Sequence, residues 1–397
     1  MKLHIVLVAA LLAACSSTTP GSQALPVGAA EAIPAAHHRG AASDVVQFAY
    51  VANFGATNVS AYSIGADGAL APVAGSPFKS DKNPSSLAID PMGKFVYVTN
   101  FGSNSVSAYT INATSGTLKK VTGSPFAAGS NPLTVAVDPS GKFVFVANNG
   151  SNNVSAYAID ATSGALTPVS GSPFKAGQRP YAVAVDPTLE FAYVANVDSD
   201  NISAYVIAAG SGALTPVKGS PFSTGVSPVS LAVHPSGKFA YVASYGSDDL
   251  YGYAIDATTG ALRPLAGSPF ADMGSAPEGV FVAPNGSFAY VANSQTFHGF
   301  PDFVAAYTID ATRGTLTPVV GSPFKDAGAE AVGGAVDTTS KFAYVTNDGS
   351  GDVSAYTINP ANGALKKVKG SPFKAVSAPF GMAVCRVTAG KCVPATL

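Results

Sequence analysis

Catalysis or tight binding at neutral pH needs ionisable side chains held close together, and this 397-residue chain has few of them. It carries 22 Lys and Arg, 23 Asp and Glu and 5 His, so charged residues make up only 11%. Against a background of Ala, Val, Ser and Gly, five residues stand out: Arg179, Tyr181, Glu278, Glu330 and Phe380. Arg179 and Glu278 suit either an ion pair in a solvated mouth or a grip on a small polar ligand. General acid–base work also requires a shifted pKa and a positioned partner. A second group lies in the segment SQTFHGFPDF, where Phe297, His298, Phe300, Asp302 and Phe303 form an aromatic insertion. It fits a lid or a contact with a partner, or else a local hydrophobic plug. His298 with Asp302 has the composition of an acid–base pair, but no nucleophile stands beside it.

Other chemistries lack their spacing. No Gly-rich phosphate loop precedes a helix, no zinc-ligand pattern occurs and no Gly-x-Ser-x-Gly elbow is present. The acidic loops Asp198-Ser199-Asp200, Asp248-Asp249 and Asp348 with Asp352 match no calcium spacing and fit solvated turns. His37 and His38 are adjacent without further ligands. No metal and no cofactor is expected. A formal net charge of −1 without a basic stripe argues against nucleic acid as a partner.

The elements that must position these residues are repeats. Gly-Ser-Pro-Phe begins at Gly75, Gly123, Gly171, Gly219, Gly267, Gly321 and Gly370, at spacings of 48, 48, 48, 48, 54 and 49. A Tyr/Phe-Val-Ala/Thr-Asn/Ser marker runs in step from Tyr50, Tyr97, Phe145, Tyr193, Tyr241, Tyr290 and Tyr344. The insertion at 294–303 accounts for the 54. In the third copy, Leu133–Val137, Phe143–Ala147 and Val154–Ile159 have the composition of strands, separated by the turns Asp138–Gly141 and Asn148–Asn153. Leu166–Val169 begins a fourth, more exposed strand, and Pro168 suits an edge. Four antiparallel strands repeated seven times predict an all-β, seven-bladed β-propeller. The first marker lacks an inner strand before it, and Ala378–Val384 resembles the missing one, so the C-terminal strand should complete the first blade and remove an open edge. The turns of the Asp-Pro-Ser-Gly-Lys and Asp-Ala-Thr-Ser-Gly types share one end of the propeller and hardly vary. The loops at the other end vary, and a site belongs there, where Arg179, Tyr181, Glu278, Glu330 and Phe380 lie next to or within the starts of inner strands, at the mouth of the central channel. His234 occupies the Asp slot of an invariant-type turn on the uniform end, which suits a structural role.

The N-terminus has the pattern of an address. Lys2 precedes an apolar run, Ile5–Ala14, too short to span a bilayer as a helix and suited to a secretory signal. The run ends in Leu12-Ala13-Ala14-Cys15, which resembles a bacterial lipobox with Cys15 lipidated. The organisation expected is therefore a lipoprotein signal over 1–15, a flexible tether over 16–43, the propeller over 44–385 and a tail over 386–397. In an exported protein Cys385 and Cys392 suit a disulfide, with two free thiols as the alternative.

The strand-turn-strand unit, Asp-Pro-Ser-Gly-Lys-Phe-Val-Phe-Val-Ala-Asn at Asp138–Asn148 and Asp-Pro-Met-Gly-Lys-Phe-Val-Tyr-Val-Thr-Asn at Asp90–Asn100, resembles the YVTN-repeat surface proteins and the seven-bladed propeller lactonases, over about 44–385. The resemblance implies hydrolysis of 6-phosphogluconolactone, an inner-strand Pro-Arg-His and a Glu after the Asn that ends the second strand. Here Tyr181 follows Pro180, Glu278 follows Pro277, Leu133 follows Pro132, Val229 follows Pro228 and Phe380 follows Pro379. No copy carries Arg-His, and Phe54, Asn149 and Val197 follow Asn53, Asn148 and Asn196. These departures, with the export signal, favour a non-catalytic reading: an exported, lipid-anchored module of the cell envelope, at the outer membrane or cell surface, that presents its variable loops to a protein or glycan partner. The alternatives are a propeller-type lactonase with its site in the central mouth, and a structural surface-layer component.

Overall fold

The computed structural model describes residues 46–188, 190–271, 276–294, 302–325 and 327–394. Within them the chain forms seven antiparallel sheets arranged as the blades of a propeller. Blades are numbered here by the order of their second strands. In the third blade the inner strand Pro132–Val137 pairs with Phe143–Asn148, which pairs with Asn153–Ile159. The other blades repeat this order, and among the described residues no α-helix occurs. The inner strand of the first blade comes from the far end of the chain: Pro379–Thr388 pairs with Gln47–Asn53, Phe48 opposite Cys385 and Tyr50 opposite Ala383. The ring is thus closed as the repeat phase predicts.

The fourth strand differs from expectation. It is broken into two short pieces, Leu166–Pro168 and Phe174–Lys175 in the third blade, both paired with the third strand. Between them the Ser172 hydroxyl accepts the Ala156 N–H at 2.9 Å, so a side chain stands where a strand carbonyl would. The same serine bond recurs at Ser76, Ser124, Ser220, Ser268, Ser322 and Ser371. This is the structural use of the repeated Gly-Ser-Pro-Phe.

Each blade is locked to both neighbours. Buried tyrosines of the second strand donate to a glycine carbonyl in the next blade, as Tyr193 does to Gly260 at 3.0 Å. That glycine has φ +72°, and a Cβ there would lie 2.3 Å from the ring of Phe191, so both its backbone and its lack of a side chain are needed. Tyrosines of the third strand donate the other way: Tyr205 reaches the Lys175 carbonyl of the preceding blade at 2.6 Å. Apolar side chains pack between these latches in seven clusters that join neighbouring blades.

Beyond the closing strand the chain turns back as Lys391–Pro394, and Cys385 and Cys392 form a disulfide across this hairpin. The Cys392 N–H donates to the Gly93 carbonyl of the second blade at 3.1 Å. His234 lies in a turn between inner and second strands, with Nε2 2.9 Å from the Gly286 carbonyl and Nδ1 2.8 Å from Ser236 Oγ. Burial holds its pKa below the usual histidine value, as suits a neutral ring in a structural turn.

Candidate active site

The inner strands surround a central channel, and their first residues build its mouth. In each inner strand the register slips at the second residue, a β-bulge that leaves this residue unpaired. A bulge re-aims a side chain, and such bulges gather beside active sites. From the first blade to the seventh the bulged residues are Phe380, Ser85, Leu133, Tyr181, Val229, Glu278 and Val332. Tyr181, Glu278 and Phe380 line the same cavity of about 200 Å³. Gly279, after Glu278, lets the next inner strand pass closely: a Cβ there would lie 2.7 Å from the Val332 carbonyl.

Two further rings frame the mouth. The residue before each inner strand holds a left-handed backbone, and Arg179 (φ 52°) and Glu330 (φ 56°) do so with long side chains. Its carbonyl accepts the N–H of the residue that follows the second strand: Val197 bonds to Arg179 and Asp348 to Glu330. From the first blade to the seventh, that follower is Phe54, Phe101, Asn149, Val197, Tyr245, Ser294 and Asp348. The three rings therefore bring together residues far apart in sequence.

The mouth is uneven. At the first two blades the Phe54 ring packs, tilted, at 5.9 Å from Phe380 and 5.7 Å from Phe101. At the sixth and seventh blades Glu278, Glu330 and Asp348 form an acidic group. Burial first, then the charges of Asp348, Glu330 and Asp302, push Glu278 from 4.5 up to about 8. Burial and then Glu330 raise Asp348 from 3.8 to about 7. Glu330 is raised by burial and by Asp302. Oδ1 of Asp348 is buried without a hydrogen-bond partner among the described residues. Between these halves stand Tyr181 and Tyr245, whose phenols are held protonated by burial and then by the Glu278 charge.

Several expectations need revising. Arg179 does not pair with Glu278: its Nη1 lies 3.8 Å from Oδ1 of Asp198 in its own blade, because the left-handed turn sets it beside that loop. Asp200 and Asp248 accept the N–H groups of Ser227 and Ala276, so these acidic loops are backbone caps for the next blade. Asp302 does the same for Ala331 and is buried, and Phe303 is the buried first residue of a strand. Phe297, His298 and Phe300 lie outside the described residues, as does Cys15. Among the described residues no three His, Cys, Asp or Glu side chains, the acidic group included, are placed to hold one metal ion. Asp348 and Tyr245 were missed as mouth residues. The available signal was their slot: Asp348 directly follows Asn347, where the family resemblance places a carboxylate.

Comparison with known proteins bears on the activity. The family model for "Lactonase, 7-bladed beta-propeller" matches residues 43–178 and 173–382. The chain belongs to the seven-bladed β-propeller lactonase family. Similar solved structures include a protein provisionally described as a 6-phosphogluconolactonase from Bacteroides fragilis, 20% identical, with TM-score 0.75 over 87% of this chain and 99% of that one. The periplasmic gluconolactonase of Pseudomonas aeruginosa is 19% identical, with TM-score 0.70 over 85% and 99%. A Lactobacillus plantarum protein is 18% identical, with TM-score 0.72 over 86% and 99%. At these identities the likeness is one of fold. A search of curated proteins finds no match. Membership of the lactonase family overturns the expectation of a binding scaffold as the main function. Arg-His is absent, and buried carboxyls with raised pKa values occupy the mouth in its place.

Proposed function

We propose that this lactonase-family propeller hydrolyses a lactone in the mouth of its channel, with Asp348 as general base and Glu278 as general acid. The observation that carries this is a pair of carboxyls on adjacent blades, Glu278 in the channel lining at its bulge and Asp348 with a buried Oδ1 unpartnered among the described residues, both raised well above the usual carboxylate range, so that near neutrality the pair retains a proton. Two carboxyls that share a proton near neutrality can serve as acid and base, and we assign the base to Asp348 on that unpartnered Oδ1. Because the pair is coupled, the two steps of titration belong to it jointly.

Asp348 takes a proton from water as the water oxygen bonds to the lactone carbonyl carbon. The carbonyl electron pair moves to its oxygen, and the Tyr181 and Tyr245 phenols are suited to donate hydrogen bonds to that oxyanion. The intermediate collapses, the ring C–O bond breaks, and Glu278 supplies the proton that makes the leaving oxygen a hydroxyl. The product is a hydroxy acid, and proton exchange with water restores both carboxyls. Arg179, paired with Asp198, is assigned no proton transfer. The apolar run Ile5–Ala14 supports export, which we propose as the setting of the reaction.

The full chain is tested by following proton release from glucono-δ-lactone and from a simple δ-lactone against their spontaneous hydrolysis. Turnover of either well above the spontaneous rate is expected. A rate equal to the spontaneous one for both would overturn the proposal.

A further inference from the structure

We propose that Thr134 and Ser230 are positioning residues of this site: each reaches from its own blade to the next and holds the bulge that aims Tyr181 or Glu278 into the mouth. The inference rests on the hydrolase reading above, which makes those two side chains working groups.

Most inner strands are the edge of their sheet, so their outward N–H and C=O groups have no partner within the blade. A bulge loosens the ladder further, because one residue is left unpaired. At the fourth blade a side chain from the third blade takes these groups. Thr134 Oγ1 donates to the Tyr181 carbonyl at 2.9 Å and accepts the Val183 N–H at 3.1 Å. One hydroxyl thus fixes the peptide groups on both sides of Ala182, and with them the direction in which Tyr181 leaves the strand. From the fifth blade, Ser230 Oγ accepts the Val280 N–H at 3.1 Å, two residues beyond Glu278 in the sixth. Thr134, Tyr181, Ser230 and Glu278 all line the mouth cavity.

The slot that Thr134 and Ser230 occupy supports the reading. Both are the third residue of an inner strand, and Gly279, Gly333 and Gly381 hold that place in the sixth, seventh and first blades. At these glycines a Cβ would lie 2.7, 2.8 and 2.7 Å from the carbonyls of Val332, Phe380 and Ser85, the bulged residues of the next blades. There the strands pass too closely for a side chain. At Thr134 and Ser230 there is room for one, and a hydroxyl supplies the hold. The Leu133 carbonyl is likewise held by Ser85 and Thr99, and that of Phe380 by Thr346, so the clamp is a general device of these bulges. Thr134 and Ser230 are the two whose bulges carry groups of the reaction.

The test uses the full chain and whichever of glucono-δ-lactone and the simple δ-lactone the parent turns over faster. Thr134→Val keeps the shape and loses the hydroxyl. Its kcat should fall about tenfold with KM nearly unchanged, since a small misplacement of a working group is costly. Thr134→Ser should restore the rate, and Thr134→Val should cost nothing further when added to Tyr181→Phe. Ser230→Ala should behave in the same way against Glu278→Gln, with folding checked by circular dichroism throughout. A second readout needs no turnover. In NMR spectra of the chain with isotope-labelled tyrosine rings, the Tyr181 signal, identified by its loss in Tyr181→Phe, should shift in Thr134→Val and return in Thr134→Ser. A parent-like kcat in folded Thr134→Val and Ser230→Ala, a loss that persists in full on Tyr181→Phe and Glu278→Gln, or a Tyr181 signal indifferent to Thr134 would overturn the inference and leave the hydrolase reading standing. Hydrolysis of neither lactone by the parent chain would overturn the hydrolase reading, and the inference with it.

Discussion

Replacing Glu330 by Gln should shift the pH–rate profile toward acid without destroying activity. Glu330 has no proton to move in the mechanism. Its charge raises both working carboxyls, and its amide analogue keeps nearly the same shape. For Asp348, displaced from 3.8 to about 7, burial is the larger cause and Glu330 the second, so Glu330 accounts for less than half of the rise. For Glu278, displaced from 4.5 to about 8, Glu330 stands third behind burial and Asp348, so its share is under a third. Those shares cap the downward move at about 1.6 pH units for the acid limb and about 1.2 for the alkaline limb, and roughly half of each cap, about 0.7 and about 0.5, is the working expectation. At about pH 6 the ionised fraction of Asp348 then rises from about 0.1 to about 0.3, giving about threefold faster turnover. At about pH 9 the protonated fraction of Glu278 falls by about the same factor, giving about threefold slower turnover. Initial rates on glucono-δ-lactone across pH 5 to 10, corrected for spontaneous hydrolysis, read both limbs. Limbs that do not move would refute the electrostatic coupling. Limbs that move toward alkali would refute its sign.

Glu278→Gln should stabilise the fold at alkaline pH. A carboxyl whose folded pKa is raised binds more protons folded than unfolded, so its contribution to stability falls as pH rises through that range. Allowing for its partial exposure, the variant should gain about 1–2 kcal/mol at about pH 9 and nothing at about pH 4, read as thermal midpoints; equal midpoints relative to the parent at both pH values would contradict it. Tyr193→Phe should lose about 1 kcal/mol, because the Gly260 carbonyl is left without its buried donor. Denaturant titration measures this, and an unchanged midpoint would deny the latch. Cys385→Ser with Cys392→Ser should cost about 2–3 kcal/mol for a loop of seven-residue separation. Activity should survive at moderate temperature, since the disulfide lies outside the mouth; loss of activity in a folded variant would speak against that.

The fold was legible because its information is local and repeated. Spacing, strand composition and the orphaned C-terminal strand sufficed to count the blades and close the ring. The broken outer strand was not legible, since it depends on a serine hydroxyl replacing a backbone acceptor, which leaves no trace in hydropathy. At the site, Arg179, Glu278 and Glu330 were visible as charges in an otherwise neutral setting. Their place at the starts of inner strands, beside the channel, was legible too; which of them face one another was not. Ring closure sets Glu278 and Asp348, 70 residues apart, on neighbouring blades, and the bulge decides which side chain enters the channel. Asp348 was hidden among acidic turns whose other members, Asp200 and Asp248, do cap backbone. Reading the residue after each second-strand Asn across all seven copies exposes it.

The most direct measurement is a mutant cycle on the full chain. Glu278→Gln, Asp348→Asn and the pair together are assayed for lactone hydrolysis near neutral pH, with folding checked by circular dichroism. Each single variant should lose about a hundredfold or more, and the double variant little beyond that, because residues that act as a unit are not additive. Folded variants that retain the parent rate would contradict the assignment of catalysis to this pair of carboxyls.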